Sequence, residues 1–264
     1  MIKKKEQKLI RYLKDVGRIA VAFSGGMDSA YLVYAAKEAL GAEGVLVLTA
    51  RTELGATDEL ARAERMAHGF GVRHKFVTFS ALAPYEVRRN DIMRCYYCKR
   101  GIFAMLIQVA QMEGFPLLAD GTNCDDDSDF RPGIRAAQEM GVVSPLKLAG
   151  MDKKDVNALS KEAGLETAGL PSNSCLATRI EQGTELRVSV LRMIDAAECE
   201  LHSAGFDSVR IRVHGNCARL EVPSTDMYRA FAQRDVISSI IRSAGFGYAS
   251  LDMQGYRPSG GAAQ

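Results

Sequence analysis

The run Ile19-Ala-Val-Ala-Phe23 is apolar, with β-branched residues at alternate positions, and it breaks into Ser24-Gly-Gly-Met-Asp-Ser29. A helical pattern starts at about Ser29. A strand that enters a helix through two glycines is a tight constraint on the fold, because it builds a β–turn–α unit with an anion cradle at the join. Gly25 and Gly26 let the backbone turn sharply and approach an anion closely. The first N–H groups of the helix have no partners of their own and point at the same spot, with a dipole that favours negative charge. Ser24 and Ser29 offer hydroxyl donors, and Asp28 can hold a magnesium ion among phosphates.

The segments around this unit repeat the alternation. An amphipathic helix is expected over 6–16 and a helix runs from the glycine turn to about Leu40. Val45-Leu-Val-Leu48 is uninterrupted apolar sequence, as expected of a strand covered on both faces. Thr57 is placed to cap a helix over 58–69, with Asp58 and Glu59 in its first turn. The pattern then predicts a strand over 72–79, a helix over 99–112 and a strand over 116–119 that ends in Asp120-Gly-Thr-Asn123. A helix over 133–140 leads to a short fifth strand at Val142-Val143. Strands alternating with helices predict an α/β fold built on a doubly wound parallel sheet. Ligands of such sheets sit beyond the carboxyl ends of the strands. Ser24–Ser29 and Asp120–Asn123 both fall there, so the two loops are expected to face one site.

The pattern changes after about Pro171. A helix over 184–204, a hairpin of Val209–His214 with Arg219–Val222 across Gly215-Asn216, a helix over 225–243 and a strand over 248–252 make a smaller C-terminal α+β domain. The expected division is residues 1–170 and residues 171–264, with 258–264 as a disordered tail.

At 264 residues the chain is long enough for two domains. A net charge of +2 exerts no whole-chain pull toward nucleic acid or membrane. Lys3-Lys-Lys5 is not followed by the apolar region of a signal peptide, and no stretch approaches the length of a membrane span. The expectation is a cytoplasmic protein. Six cysteines in that setting are reduced, metal-bound or catalytic rather than a disulfide framework.

Arg94-Cys-Tyr-Tyr-Cys-Lys99 spaces two thiolates for one metal or cluster, and the spacing also suits a redox dithiol. Two ordinary cysteines at a helix start is the plain alternative. Cys124 and Cys175 are the candidates for a third ligand, whereas Cys199 and Cys217 read as packing residues. Cys175 stands in a Pro-Ser-Asn-Ser loop near Thr178 and Arg179 at the domain junction, a setting suited to a nucleophile or sulfur source. A half-buried linker thiol is the competing reading. In the small domain, Glu198 shares a helix stripe with Leu191, Ile194 and Leu201, so its carboxylate needs a partner or a function. Arg210, Arg212 and His214 point to one face of their strand, and Arg219 and Glu221 to one face of the next. That face suits phosphate or carboxylates. A solvated sheet face, or an arginine paired with Glu198 or Glu221, would account for the same residues.

The order Ser-Gly-Gly-x-Asp-Ser, without the lysine of the Walker pattern, resembles the PP-loop of the N-type ATP pyrophosphatases. With Arg94–Lys99, Asp120-Gly-Thr-Asn-Cys-Asp-Asp126, Arg131-Pro-Gly133, Ser144-Pro-Leu146, Pro171–Arg179 and Val209-Arg-Ile-Arg-Val-His-Gly215, nearly the whole chain resembles the LarE family. These are ATP-dependent sulfur transferases of nickel-pincer nucleotide cofactor biosynthesis. The resemblance implies an ATP pyrophosphatase domain at 1–170 and a substrate-binding, sulfur-transfer domain at 171–264. ATP and Mg2+ would be held by Ser24, Gly25, Gly26, Asp28, Ser29, Gly121, Thr122 and Asn123. The implied substrate is pyridinium-3,5-biscarboxylic acid mononucleotide, a small nucleotide whose carboxylate is adenylated and converted to a thiocarboxylate. Cys175 matches the sulfur carrier, and Cys95, Cys98 and Cys175 together match members thought to hold a 4Fe–4S cluster. Arg179, Glu198, Arg210, Arg212 and, less directly, Asp226 match substrate-binding positions. Tyr96 and Tyr97 lie where an aromatic can stack on a pyridinium ring. The family implies a homo-oligomer, and the immediate sulfide donor is not named by the sequence. A PP-loop tRNA thiolase with an iron–sulfur cluster is the enzymatic alternative, against which the near-neutral charge argues. A nucleotide-binding module with a structural zinc is the non-enzymatic one.

Overall fold

The computed structural model describes residues 1–128, 132–169 and 174–256. Arg131, the Pro171–Asn173 segment of the linker motif and the 258–264 tail lie outside the described residues. The chain forms two compact units. The first comprises Met1–Thr52, Glu59–Val87 and Met93–Asn173; the second comprises Glu53–Asp58, Arg88–Ile92 and Ser174–Gln264.

The first unit carries α1 (Ile2–Val16), β1 (Ile19–Ala22), α2 (Met27–Leu40), β2 (Val45–Arg51), most of α3 (Thr57–Phe70) and β3 (Arg73–Thr78). It continues with the short α4 (Tyr85–Arg88), α5 (Arg94–Met112), β4 (Leu118–Ala119), α6 (Pro132–Glu139), α7 (Pro145–Leu148) and α8 (Lys153–Glu162). The sheet order is β3-β2-β1-β4, and each neighbouring pair is parallel. This is the expected α/β sheet. Its faces divide by residue parity. Ile19, Val21, Val45 and Val47 join the core that includes residues of α1, α2, α3 and α8, while Ala20, Leu46 and Leu48 join the core with Phe103, Leu106 and Ala110 of α5. Covering on both faces is why Val45–Leu48 shows no polar alternation.

Three local differences from the sequence reading have physical causes. The fifth strand reduces to a single parallel bridge, Ala119 with Val143. Helix α5 begins at Arg94 rather than near 99, because tertiary packing carries the weak helix formers Cys-Tyr-Tyr-Cys into its first turn. Helix α8 was not anticipated, although Asp152 and Asp155 form a capping box at its start.

The second unit carries α9 (Val188–Ser203), β5 (Arg210–His214), β6 (Cys217–Glu221), α10 (Met227–Ala232), α11 (Arg234–Ser243) and β7 (Tyr248–Leu251). Its sheet order is β5-β6-β7, with an antiparallel first pair and a parallel second. Gly215, at φ 59°, turns the hairpin in the left-handed region that glycine favours. The helix expected over 225–243 is split at Gln233 into α10 and α11. Thr57 also departs from expectation. It is the first residue of α3 rather than a cap that accepts, and its N–H and hydroxyl donate to the Asp195 carboxylate at 2.9 and 2.5 Å. Among the described residues no helix is long and apolar enough to cross a membrane.

Candidate active site

The chain leaves β1 toward β2 and β3 on one side, and β4 closes the other side of β1. A topological switch point therefore lies between β1 and β4, and ligands of open α/β sheets bind in the crevice at such a point. The loops after these two strands are Ser24–Ser29 and Asp120–Asn123. They approach closely: a Cβ placed on Gly121 would stand 2.8 Å from the Ser29 backbone nitrogen, so no larger residue fits there without moving α2.

Within the first loop, Gly25 has φ 72°, and a Cβ there would press on the Ala63 backbone at 3.2 Å. The Ser29 hydroxyl donates to the Gly26 carbonyl at 3.1 Å and lies 3.3 Å from the Ser24 hydroxyl. These contacts fix the loop at the N-terminus of α2, where Asp28 occupies the first turn. The second loop is braced by Asp120, whose carboxylate accepts from the Thr122 N–H and hydroxyl and from the Ser144 hydroxyl. Asn123 is fully buried; its side-chain Oδ1 accepts from the Asp125 N–H, and its backbone N–H donates to the Asp126 carboxylate.

Two buried polar atoms here make no hydrogen bond of good geometry, Asp28 Oδ1 and Asn123 Nδ2, which reach toward one another only loosely. A carboxylate oxygen so placed beside further carboxylates fits a cation, and an amide donor so placed fits a polar ligand. Burial, followed by the charge of Asp126, pushes the Asp28 carboxyl up to about 6, and the Asn123 amide and Lys153 oppose the shift. A carboxyl raised on folding contributes stability that is complete below its unfolded value and is lost as pH rises through the folded one. Metal-free protein is thus expected to lose about 3 kcal/mol from this group between pH 4 and 7. Asp28→Asn should flatten that loss in urea denaturation across pH, while reducing ATP cleavage. Parallel pH profiles for the two proteins would refute the assignment.

The cysteines differ sharply in setting, and none of the six is in a disulfide. Cys95 is exposed and Cys98 half-buried, one turn apart at the start of α5, and an Arg94 guanidinium N–H reaches Cys95 Sγ at 3.6 Å. The Cys124 thiol donates to the Lys147 carbonyl at 3.8 Å. Burial and the Asp195 and Asp58 carboxylates push the Cys199 thiol up to about 12, so it is a packing residue with little thiolate. Cys217 contacts the Ser250 hydroxyl. Cys175, half-buried, precedes a 3-10 turn at Leu176–Arg179 in the second unit. Among the described residues no three His, Cys, Asp or Glu side chains gather to hold a metal ion.

Arg179 and Glu198 are 6% and 4% exposed and form a two-pronged pair, Nε to Oε1 at 3.1 Å and Nη2 to Oε2 at 2.9 Å. The Ile211 N–H adds a bond to Oε1 at 2.8 Å. Glu198 therefore has the partner that its apolar stripe demands. Arg179 Nη1 donates to the Ser174 carbonyl at 2.6 Å and to the Cys175 carbonyl at 3.4 Å, so the guanidinium shapes the turn that displays Cys175. On the sheet, Arg212 pairs with Glu221 and donates to the Thr178 carbonyl. Arg219 pairs with Glu221 and Asp252. Arg210 is buried over the Tyr256 ring at 4.6 Å, and that burial lowers its pKa. The face is thus an internally paired network rather than a solvated surface. Asp226, before α10, pairs with Arg229 at 3.5 Å.

The expectation that Tyr96 stacks on a ligand ring is corrected. Its ring is covered by Arg135 at 5.3 Å and abuts Tyr97 edge-on, and its hydroxyl donates to Glu139. Tyr97 remains partly exposed.

A family model described as asparagine synthase matches residues 10–111, the stretch that runs from α1 through the phosphate loop to α5. A pyridinium-3,5-bisthiocarboxylic acid mononucleotide synthase of Lactiplantibacillus plantarum is 33% identical, over 96% of this chain and 92% of its own. The chain belongs to the LarE family. It is an ATP-dependent sulfurtransferase, and the strand-to-helix loop at Ser24–Ser29 falls within the residues that the family model matches. An uncharacterised protein of Synechocystis is 32% identical, over 97% of this chain and 96% of its own. A probable tRNA sulfurtransferase of Methanothermobacter thermautotrophicus is 28% identical over 64% of this chain, which spans only 46% of that protein.

Proposed function

We propose that the protein activates a carboxylate of pyridinium-3,5-biscarboxylic acid mononucleotide with ATP and replaces its oxygen with sulfur, on the way to the nickel-pincer nucleotide cofactor. The likeness to a synthase of the bisthiocarboxylic product, along almost the full length of both chains, carries the reading. Asp28 Oδ1 and Asn123 Nδ2, without a hydrogen bond of good geometry at the switch point, support an ATP–Mg2+ site there.

The Ser24–Ser29 backbone, with Gly121, Thr122 and Asn123, would hold the ATP phosphates, and Asp28 would hold the magnesium ion. A substrate carboxylate oxygen attacks the α-phosphorus, the bond to pyrophosphate breaks, and an acyl adenylate forms. A sulfur nucleophile then attacks the acyl carbon, AMP leaves with the bonding electrons, and a thiocarboxylate remains. Arg210, Arg212 and Asp226, which match the family's substrate-binding positions, would give up part of their internal pairing to take the substrate phosphate and second carboxylate. Arg179 and Glu198 act through the turn that carries Cys175.

The thiols of Cys95 and Cys98, one helical turn apart, are spaced to hold an iron–sulfur cluster, and the family resemblance adds Cys175 as the third thiolate that would hold a 4Fe–4S cluster. Such a cluster, when bound, would supply the sulfide to be transferred. Anaerobic reconstitution is expected to give a brown protein that releases pyrophosphate from ATP only when the pyridinium dicarboxylate is present. Pyrophosphate release unaffected by that acid, but stimulated by tRNA in a salt-dependent manner, would overturn the reading in favour of a tRNA thiolase.

A further inference from the structure

The first turn of α5 displays Cys95 and Cys98, yet its N-cap residue, Met93, makes no side-chain capping bond. Terminal helical turns without such bonds fray readily. Two thiols that must meet one ligand need a turn that does not. The structure supplies restraint from α6, which opens with Pro132-Gly133.

Three contacts make this restraint. A Cβ placed on Gly133 would stand 3.2 Å from Lys99 Cγ and 3.8 Å from the Cys95 carbonyl oxygen, so the α6 backbone lies directly on the Cys95–Lys99 turn. Tyr96, between the two cysteines and 9% exposed, donates its hydroxyl to Glu139 Oε2 at 2.5 Å. Arg135 covers the Tyr96 ring and holds the other Glu139 oxygen at 2.7 Å. Glu139 is thereby fixed at one end by Arg135 while it fixes Tyr96 at the other. The Arg135–Glu139 pair is exposed, and exposed pairs of this kind add little to global stability. Its consequence is local.

We propose that α6 is a clamp for the Cys95–Cys98 turn, with Glu139 a positioning residue that acts through Tyr96 to hold the two thiols in ligating geometry. The inference rests on the reading that this pair carries sulfur or a cluster, and its test separates the two. Wild type, Glu139→Ala and Glu139→Gln are reconstituted anaerobically, and the rate at which a ferrous chelator removes iron is followed. Loss of a supporting partner typically weakens a metal site 10- to 100-fold, so Glu139→Ala should lose iron at least about 10-fold faster. Glu139→Gln, whose carbonyl oxygen still accepts from Tyr96, should restore most of the wild-type rate. ATP cleavage and the thermal midpoint should not change, which a general folding defect would not allow. Equal iron-loss rates in wild type and Glu139→Ala would overturn the clamp. If wild type takes up no iron, the cluster reading fails and the clamp is judged on the thiols. Iodoacetamide should then alkylate Cys98 faster in Glu139→Ala and in Gly133→Leu than in wild type, and unchanged rates would overturn it.

Discussion

Cys95→Ala is expected to abolish repeated sulfur transfer, by at least about 100-fold, while ATP-driven pyrophosphate release persists. The separation follows from where the groups stand. The phosphate loop is built from β1, α2 and the loop after β4, and the hydrogen bonds described for it run among those elements. Removing one thiol from the first turn of α5 leaves that loop intact but takes away a proposed cluster ligand, and loss even of a supporting partner can cost up to about 100-fold. Cys175→Ala should behave in the same way. Mass spectrometry of the wild-type peptide containing Cys175 after turnover then divides the sulfur routes. An unchanged thiol fits transfer from a cluster, whereas loss of hydrogen sulfide to leave dehydroalanine means that Cys175 is itself consumed. A Cys95→Ala protein with full multiple-turnover activity would exclude the three-cysteine mechanism.

Glu198→Ala is expected to destabilise the protein by about 3–5 kcal/mol in urea denaturation, out of a typical total of about 5–15. The reason is the state of Arg179 rather than the loss of the carboxylate alone. The guanidinium is 6% exposed, and two of its nitrogens face Glu198 oxygens at 2.9 and 3.1 Å. Without Glu198 a buried cation loses its counter-charge, and the Ile211 N–H loses its acceptor. The double variant Glu198→Ala with Arg179→Met should be closer to wild type than the single variant, because both buried charges are gone. A single variant that costs less than about 1 kcal/mol would show that the pair is not the buried lock described here. Because Arg179 Nη1 also grips the Ser174 and Cys175 carbonyls, the single variant should slow sulfur transfer at temperatures where the protein remains folded.

Much of the first unit is legible along the chain. The two-glycine loop after an apolar strand can be read from local sequence because its requirements are local: positive φ at Gly25, free N–H groups at the start of α2 and a carboxylate in its first turn. The both-faces-buried strand Val45–Leu48 is legible for a similar reason, since burial on two sides removes the polar alternation. Helix α8 was legible in principle from Asp152-Lys-Lys-Asp155, a capping pattern followed by Val156 and Leu159. The start of α5 was not, because Cys-Tyr-Tyr-Cys has weak helix propensity and only packing against α6 extends the helix to Arg94.

The sequence by itself determined the chemistry that this protein has to hand: a phosphate loop, a paired thiol motif, a further loop thiol and an arginine-rich strand. Those follow from residue type and short spacing. Only the tertiary structure decided how the charges are distributed. Alternation along a strand cannot say whether Arg212 faces water, a ligand or Glu221, nor that Glu198 answers Arg179 from 19 positions away. It cannot say that Tyr96 is already covered by Arg135 and held by Glu139. Nor can it reveal that Asp28 and Asn123 are each left with a polar atom that makes no hydrogen bond of good geometry at the switch point. Such facts depend on distance in space, and a buried charge or polar atom is satisfied, or left waiting for a ligand, only by what the fold brings beside it.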